Sequence, residues 1–565
     1  MSNFLPYGLQ KKEIADNMRS DDRVRKFLTP TRIVDAKGVT NGEVLLQNRE
    51  PQIHLLATDL CTMETKNEPA YIILDFGVEF HGSIKLLIKE TSQERVNVRV
   101  RFGESVMETM EDTIGGAKNA RNDHINRDQV INVGFLSGNE VGPSGFRFVR
   151  IDLLDENTSI TLKAVKGIAI YRNLEYKGAF RCNDERLNEI WNTGAYTIHL
   201  NMQEYVWDGI KRDRLVWIGD MHPETSTIQA VFGYDASVPA SLDLARDETP
   251  LPMFMDGMST YSIWWVLIHY GWYMQNGDKA YLEEQREYLV GLLDLLCGLV
   301  DVETGSEMMP DRRFLDWPSD DDAQAVHAGL QGLLKWGLVR GGELLRELGE
   351  DSMADKCGKM ADIMNKHNPD PNGNKQAAAL LALSGIADIQ KVNEIIKVDG
   401  ARRLSTFLGY YVLQAQALAG DIEGALENIS IYWGAMLDRG ATTFWEDFNL
   451  DWLEGSGRID EIIPEGVKDL HGDYGAYCYK GLRHSLCHGW ASGPTAFISQ
   501  YVLGFTPATP GCKKVFLKPN LGSLKFAEGS YPTPYGKISV RHEKCTDGSV
   551  KTTILEKPSE VEIIQ

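Results

Sequence analysis

Long apolar runs are missing from this chain of 565 residues. No stretch reaches the roughly eighteen consecutive apolar residues of a membrane span. The amino terminus (MSNFLPYGLQKKEIADNMRS) has no basic start followed by an apolar segment and a small-residue cleavage site, which a secretory leader would carry. We therefore expect a cytoplasmic protein, or a periplasmic or secreted one if a leader preceded these residues.

Basic charge is also scarce. Lys and Arg number 59 against 80 Asp and Glu, which gives a formal net charge of −21 at pH 7. Nucleic acids and anionic membranes need a basic protein face. The composition therefore argues against both as partners and leaves neutral or cationic ones open. The oligomeric state, including a homodimer, stays open as well.

Paired cysteines are absent, because the eight cysteines show no CxxC spacing. A disulfide framework or a zinc ribbon is therefore not expected, and Cys297, within an apolar run, is interpreted as a small core residue. The acidic run at residues 319–322 lacks the alternating spacing of a calcium loop and indicates a helix start. We predict no metal and no cofactor. The cysteines are Cys61, Cys182, Cys297, Cys357, Cys478, Cys487, Cys512 and Cys545.

The length and composition are those of a globular protein with several domains, since 43% of the residues are hydrophobic and 25% are charged. Residues 1–178 contain short alternating or apolar runs broken by Gly, Asn, Asp and Ser, which predicts a β-sandwich. No strand face in this region gathers aromatic and carboxylate residues. A packing domain without a ligand is therefore the favoured interpretation.

Between residues 179 and 505 the apolar spacing becomes helical, starting with a capped, acidic first turn near residues 183–191. Helices alone do not distinguish a barrel from a solenoid. The sequence has no fixed repeat of about 34 or 40 residues, which weakens the solenoid interpretation. Residues 506–565 return to strand character and predict a small C-terminal β-domain.

The most unusual stretch is residues 207–220 (WDGIKRDRLVWIGD), which combines three carboxylates, three cations and two indoles. A solvated, salt-bridged loop is the simplest interpretation of such a charged run. The indoles favour another one, because an aromatic face beside carboxylates and guanidinium groups suits a pyranose ring with apolar C–H faces and hydroxyls at its rim.

The same stretch resembles the acid-bearing motif of the bacterial α-L-rhamnosidases of glycoside hydrolase family 78, D-x-P-x-R-(x)-E-R-x-G-W-x-G-D. Counted back from residues 219–220, Asp213 falls at the general-acid position, where the family usually has Glu, so the resemblance is to a divergent branch. It implies a multidomain chain in which an (α/α)6 barrel lies between a β-sandwich and a small C-terminal β-domain. The implied substrate-binding positions here are Asp208, Arg212, Trp217 and Asp220.

A second carboxylate is required, because glycoside hydrolysis needs one group to protonate the leaving oxygen and another to activate water or attack the anomeric carbon. The best candidate is Glu446 in the segment TTFWED at residues 442–447. That segment matches the rhamnosidase pattern T-T-x-W-E, whose Glu is the general base, and it places Trp445 beside the site. The alternatives are Asp447 as the base, or a helix-capping role for the acidic pair.

Other aromatic residues fit a sugar pocket less specifically. Trp264, Trp317 and Trp490 are predicted pocket walls, and His488 resembles the late histidine that contacts sugar hydroxyls in the family. For each indole, ordinary core packing is an equal alternative, because Trp is usually well buried.

Three functions follow from these observations. The first is an inverting glycoside hydrolase that releases terminal α-L-rhamnose or a related deoxysugar, with Asp213 as acid and Glu446 as base. The second is a helical-barrel hydrolase for a different sugar, and the third is a non-catalytic carbohydrate-binding relative. Retention of several buried carboxylates speaks against the third, because they are costly to desolvate. In each case the partner is a carbohydrate.

Overall fold

The computed structural model describes residues 6–66, 68–111, 126–310, 312–475 and 481–565. Its amino-terminal region contains a nine-stranded antiparallel sheet system and two short helices, α1 (Lys12–Ala15) and α2 (Val106–Met110). The strands are β1 (Arg23–Leu28), β2 (Arg32–Lys37), β3 (Val39–Thr40), β4 (Cys61–Thr65), β5 (Ala70–Thr91), β6 (Val96–Gly103), β7 (Asp128–Val133), β8 (Ser137–Leu153) and β9 (Thr158–Arg172).

Three long strands, β5, β8 and β9, form the centre of this domain. The first half of β5 pairs with β2 and its second half pairs with β9, while the β5–β8 register breaks between Asp75 and Phe80. Breaks of this kind bend long strands from one layer into another. The predicted β-sandwich is confirmed, with its apolar core between the layers.

The central region, from residue 185 to residue 497, is mainly helical, as predicted. Its helices are α3 (Glu185–Asn201), α4 (Met221–Val231), α5 (Ser237–Glu248), α6 (Ser259–Asn276), α7 (Lys279–Glu284), α8 (Arg286–Cys297), α9 (Ala323–Glu347), α10 (Asp351–Met364), α11 (Lys375–Leu383), α12 (Ile389–Lys397), α13 (Gly409–Leu418), α14 (Ile422–Asp438) and α15 (Gly493–Phe497).

The helix contacts decide between a barrel and a solenoid. Helix α4 contacts α6, and the chain of contacts continues through α9, α11, α13 and α15 back to α4. A solenoid leaves its two ends apart, whereas these six largely buried helices close into a ring. The other helices pack around them, so the region is a closed helical barrel.

Local capping accounts for the predicted helix starts. Asp184 accepts a hydrogen bond from the backbone N–H of Arg186 at the start of α3. Asp322 accepts one from Ala325 N at 3.0 Å and begins α9, which confirms the interpretation of the acidic run at 319–322. Cys297 is buried, as predicted, and every cysteine in the described residues is a free thiol. Cys478 lies outside the described residues.

Two small sheets complete the chain. They contain β10 (Ala179–Cys182), β11 (Phe505–Pro507), β12 (Lys514–Leu517), β13 (Phe526–Thr533), β14 (Gly536–Lys544), β15 (Val550–Glu556) and β16 (Glu562–Ile564). Their strand orders are β10-β13-β14-β15 and β11-β12-β16, so the C-terminal domain also recruits a strand from the segment that precedes the barrel. Among the described residues, no helix has the length and apolar character needed to traverse a lipid bilayer.

Candidate active site

The loop between α3 and α4 carries the charged motif into a cavity. Asp208 closes the base of this loop. Its backbone N–H donates to Leu215 O at 3.1 Å, and its Oδ1 accepts from Leu215 N at 3.0 Å. At its tip, Asp213 and Arg214 have left-handed backbone conformations, with φ of 58° and 52°. Such conformations strain residues that have a Cβ and persist where the surroundings hold them.

A second loop, after α14, presents Glu446. Its backbone N–H donates to Ser485 O at 3.0 Å, and its carbonyl oxygen accepts from Trp490 Nε1 at 2.9 Å. The Glu446 carboxylate in turn accepts a hydrogen bond from Ser485 N at 3.2 Å. The loop is therefore fixed by the segment that precedes α15, and the carboxylate has one defined direction.

Arg212 joins the two loops. Its Nη1 donates to Asp213 Oδ2 at 2.7 Å, and its Nη2 contacts Glu446 Oε2. Its Nε donates to Arg483 O at 2.9 Å, which fixes the plane of the guanidinium group. Arg483 also approaches Asp213, with Nη2 3.6 Å from Oδ1. The two carboxylates predicted to be catalytic thus share one buried cation, each at a different Nη.

His488 lies between Glu446 of this pair and one further carboxylate, Asp220. Its Nε2 is 3.1 Å from Asp220 Oδ2 and 3.8 Å from Glu446 Oε1. Burial, with the nearby charge of Arg212, holds the pKa of His488 well below its usual range. Burial and the charges of Asp208 and Glu446 raise the pKa of Asp220 well above its usual range. The Asp220 proton is therefore available to a neutral imidazole.

Two other carboxyl groups share this environment. The pKa of Asp208 is raised well above its usual range by burial and by the charge of Asp213. The pKa of Glu224 is raised by burial and by Asp220 and Asp208, and neither of its carboxyl oxygens has a hydrogen-bond partner among the described residues. Asp213 and Glu446 thus stand in front of a group of carboxyls that favours protons.

These residues surround a cavity of about 410 Å³. Of the predicted site residues, Trp264 and Trp445 alone do not line it; those that do are Asp208, Arg212, Asp213, Trp217, Asp220, Trp317, Glu446, His488 and Trp490. The indole of Trp217 meets Tyr261 edge-on, and Trp317 meets Phe314 in the same way. Trp490 stacks on Phe407 at a centroid distance of 4.9 Å. Aromatic surfaces therefore form much of the wall.

Trp264 and Trp445 lie elsewhere, so their predicted contact with sugar is not supported by the structure. Trp264 is 1% exposed and stacks on Tyr411 at a centroid distance of 5.0 Å inside the barrel. Trp445 is also 1% exposed and packs edge-on against Phe448. Both fill the core beneath the cavity, which is the alternative that their burial tendency allowed.

Sequence reasoning missed several lining residues: Met258, Tyr261, Arg312, Arg313, Phe314, Asp320 and Arg483. Three of them lie close to features already discussed, since Phe314 and Tyr261 are near Trp317 and Trp264 in sequence and Asp320 belongs to the acidic run at 319–322. Arg313 is anchored by Glu307, whose buried carboxylate accepts from it. No local pattern distinguished the arginines from ordinary surface charges.

Comparison with known families gives the same assignment for two parts of the chain. Residues 175–329 match the model of the bacterial alpha-L-rhamnosidase 6 hairpin glycosidase domain. Residues 504–563 match the model of the bacterial alpha-L-rhamnosidase C-terminal domain. The first match covers the loop of Asp213, and the second covers the strands of the two small sheets that follow the barrel.

Individual relatives are distant but extensive. An alpha-L-rhamnosidase of Alteromonas sp. (strain LOR) is 24% identical over 535 residues, which cover 84% of this chain and 54% of that protein. The crystal structure of a family GH78 rhamnosidase of Bacillus sp. GL1 superposes with a TM-score of 0.73 at 20% identity, covering 90% of this chain and 54% of that one. A rhamnosidase from Klebsiella oxytoca with rhamnose bound superposes with a TM-score of 0.66 at 21% identity, covering 85% of this chain and 96% of that one.

The closed ring of helices between two β-domains and the cavity at its mouth define a six-hairpin glycosidase fold, with an (α/α)6 barrel at its centre. Within that class, two parts of the chain, residues 175–329 and 504–563, are similar to domains of the bacterial alpha-L-rhamnosidases. It spans about half the length of the curated relative that it matches.

Proposed function

We propose that this chain is a glycoside hydrolase that releases terminal α-L-rhamnose, or a related deoxysugar, from glycosides or oligosaccharides. The observation that carries the proposal is the position of Asp213 and Glu446. They come from loops separated by more than two hundred residues in sequence, yet both line one cavity and both contact Arg212. Two carboxyl groups across a cavity are the minimum apparatus for cleaving a glycosidic bond.

In the proposed reaction Asp213 is the general acid and Glu446 the general base. Asp213 gives a proton to the departing oxygen, while Glu446 takes one from a water molecule that attacks the anomeric carbon from the other face. This sequence inverts the anomeric configuration. Both carboxyl groups line the cavity, in which an inverting site must also hold the attacking water.

The walls suit a sugar of this kind. A cavity of about 410 Å³ is in the range of small-molecule sites, roughly 300–1,000 Å³. Trp217, Trp317 and Trp490 offer apolar faces for the C–H side and the methyl group of a deoxysugar. Asp208, Asp220 and His488 supply polar atoms for its hydroxyls. The relatives are rhamnosidases, and the Klebsiella oxytoca structure contains rhamnose.

A non-catalytic carbohydrate-binding role is the second candidate, and one observation favours it. Asp213 is paired with Arg212 and lies near Arg483. These contacts engage both carboxyl oxygens of Asp213, one of which a general acid would direct at the glycosidic oxygen. Ligand-free sites often tighten only when substrate binds, so this pairing leaves the acid role of Asp213 to be tested directly.

The test is a panel of aryl glycosides incubated with the purified protein, with phenol release as the readout. The proposal expects release from the aryl α-L-rhamnoside. The Glu446→Gln protein, purified in parallel, should release almost none and controls for a contaminating hydrolase. Release only from another glycoside would assign a different sugar. No release, with L-rhamnose still raising the melting temperature, would favour the binding protein.

We further propose that the protein works in the cytoplasm and acts on a carbohydrate without a cofactor. Free cysteines at all described positions suit a reducing compartment. Fractionation of the producing cells, followed by detection with an antibody, tests the location. A periplasmic or secreted pool would contradict it.

A further inference from the structure

The loop that carries Asp213 is folded against the N-terminal β-domain. Ile210 is fully buried within the apolar core of that domain, together with Leu200 and Cys487 from the barrel side. At Gly145 in β8 the two backbones meet, because a Cβ added there would lie 2.6 Å from Ile210 Cγ1 and 2.7 Å from Lys211 N. The residues just before Arg212 therefore depend on the β-domain for their position.

Lys211 makes this dependence electrostatic. Its side chain is 1% exposed, and its Nζ lies 2.9 Å from Glu104 Oε2 and 3.2 Å from Glu108 Oε1, two fully buried carboxylates of the β-domain. It also donates to Leu482 O at 2.9 Å. A buried ammonium ion keeps such a position only when charged and polar partners surround it.

The β-domain builds this enclosure from one short segment. Ser105 caps α2 by accepting from Glu108 N at 3.2 Å, and Glu108 Oε2 accepts from Glu104 N at 2.8 Å. Ser105 Oγ also lies 2.7 Å from Nδ1 of His471, on the barrel side of the interface. Both glutamates are thereby held before they meet Lys211.

The same glutamates reach the segment that supports the proposed base. Glu104 Oε2 accepts from Leu486 N at 2.6 Å, next to Ser485, whose N–H binds the Glu446 carboxylate. The β-domain therefore contacts the segments on both sides of the cavity, through the Lys211 side chain on the Asp213 side and through the Leu486 backbone on the Glu446 side.

A metal ion is the competing explanation for this cluster. Glu104, Glu108 and His471 have donor atoms within 4.8 Å of one another. The ammonium group of Lys211 lies among them, 3.3 Å from His471 Nε2, and supplies the positive charge there. The geometry therefore favours a lysine-centred cluster.

We propose that the N-terminal β-domain is part of the catalytic unit, with Glu104 and Glu108 as positioning residues that fix Lys211 and, through it, the neighbouring Arg212 and Asp213. This inference rests on the proposed glycosidase function. It gives the β-domain a role in the reaction beyond packing, because a shift of the loop by about 1 Å is enough to cost on the order of 10²-fold in rate.

The experiment compares Lys211→Met with Arg172→Met in the full-length protein. Arg172 is a matched control, since it is a largely buried cation of the same domain interface, paired with Asp235 at 3.1 Å. Both variants should have lower melting temperatures. Lys211→Met should lose about 10²-fold in kcat on the α-L-rhamnoside with KM changed by only a few-fold, whereas Arg172→Met should keep its kcat.

A second variant covers the case in which Lys211→Met does not fold. Gly145→Ala leaves all charges in place and adds only a methyl group against Ile210. It should reproduce the selective loss of kcat. The wild-type protein should also keep its activity in EDTA, because the lysine supplies the charge.

The outcomes separate the two hypotheses. If the wild type is active, and Lys211→Met and Gly145→Ala are both as active as Arg172→Met, the inference is overturned. The proposed function would then still stand. Loss of wild-type activity in EDTA would also overturn the inference, because a metal would then occupy the cluster. A wild type that cleaves no rhamnoside would instead remove the proposed function, and the inference with it.

Discussion

Asp213 and Glu446 are joined by a single guanidinium group. Arg212 places Nη1 2.7 Å from Asp213 Oδ2 and Nη2 on Glu446 Oε2, so the two carboxylates share one cation. Asp213 is 11% exposed and Glu446 3%. The pair is thus partly withdrawn from water, and its charge interactions are stronger than they would be in bulk solvent. It still borders the cavity that a sugar would enter.

The acid and base roles predict different responses to the leaving group. Asp213→Asn should nearly abolish hydrolysis of alkyl or natural rhamnosides and spare substrates with strongly acidic phenols, which need little protonation. Glu446→Gln should slow both kinds alike, because water must be activated whatever the leaving group is. Steady-state kinetics on a matched series of rhamnosides measures this.

Equal losses on both substrate types for Asp213→Asn would contradict its acid role. The structure then offers Asp208, which lines the cavity and whose pKa is raised well above its usual range by burial. Glu224, whose pKa is also raised by burial, is completely buried and is not among the cavity-lining residues.

The aromatic walls predict a binding effect. Trp217→Ala should raise KM at least about tenfold while unfolding stays cooperative, because a stacked sugar loses apolar contact worth on the order of 1.5–3 kcal/mol. Trp264→Phe is the control, since that indole lies in the barrel core. It should lower the melting temperature with little change in KM. The reverse pattern would show that Trp217 supports the core and Trp264 the sugar.

Glu224 predicts a dependence of stability on pH. Its pKa is raised in the folded protein, so the neutral carboxyl is favoured there, and its contribution is fully present below the ordinary glutamate pKa of about 4.3. That contribution is lost as pH rises through the raised pKa, since unfolding then releases a proton. Glu224→Gln removes this loss, so its melting temperature relative to wild type should rise with pH.

Thermal unfolding of both proteins from about pH 5 to pH 9 measures the difference. Glu287→Gln, at an exposed glutamate of α8, is the control and should keep a constant offset from wild type. A constant offset for Glu224→Gln as well would show that burial does not hold this carboxyl neutral.

Much of this site could be predicted from the sequence because many of its residues lie in two short stretches. The loop at 207–220 and the segment at 442–447 each combine carboxylates with indoles, which is unusual for a surface loop. Both contribute residues that line the cavity. The change from strand to helical periodicity likewise predicted the three regions of the fold, and the helix starts near residues 183–191 and 319–322 were predicted correctly.

What the sequence could not supply is the contact between distant segments. Whether an indole lies in a wall or in the core depends on the direction of its side chain, and Trp264 and Trp445 point into the core. The pairing of Asp213 with Arg483 depends on two loops that meet only in the fold. The enclosure of Lys211 by Glu104 and Glu108 depends on domain packing, which no local pattern encodes.

The most direct measurement of the central claim is proton NMR of the first sugar released from an α-L-rhamnoside, followed before the anomers equilibrate. If Asp213 and Glu446 act as acid and base across the cavity, the β-anomer of L-rhamnose should appear first, and Glu446→Gln should release almost none. Initial release of the α-anomer would contradict the account, because it would make one of the two carboxylates a nucleophile.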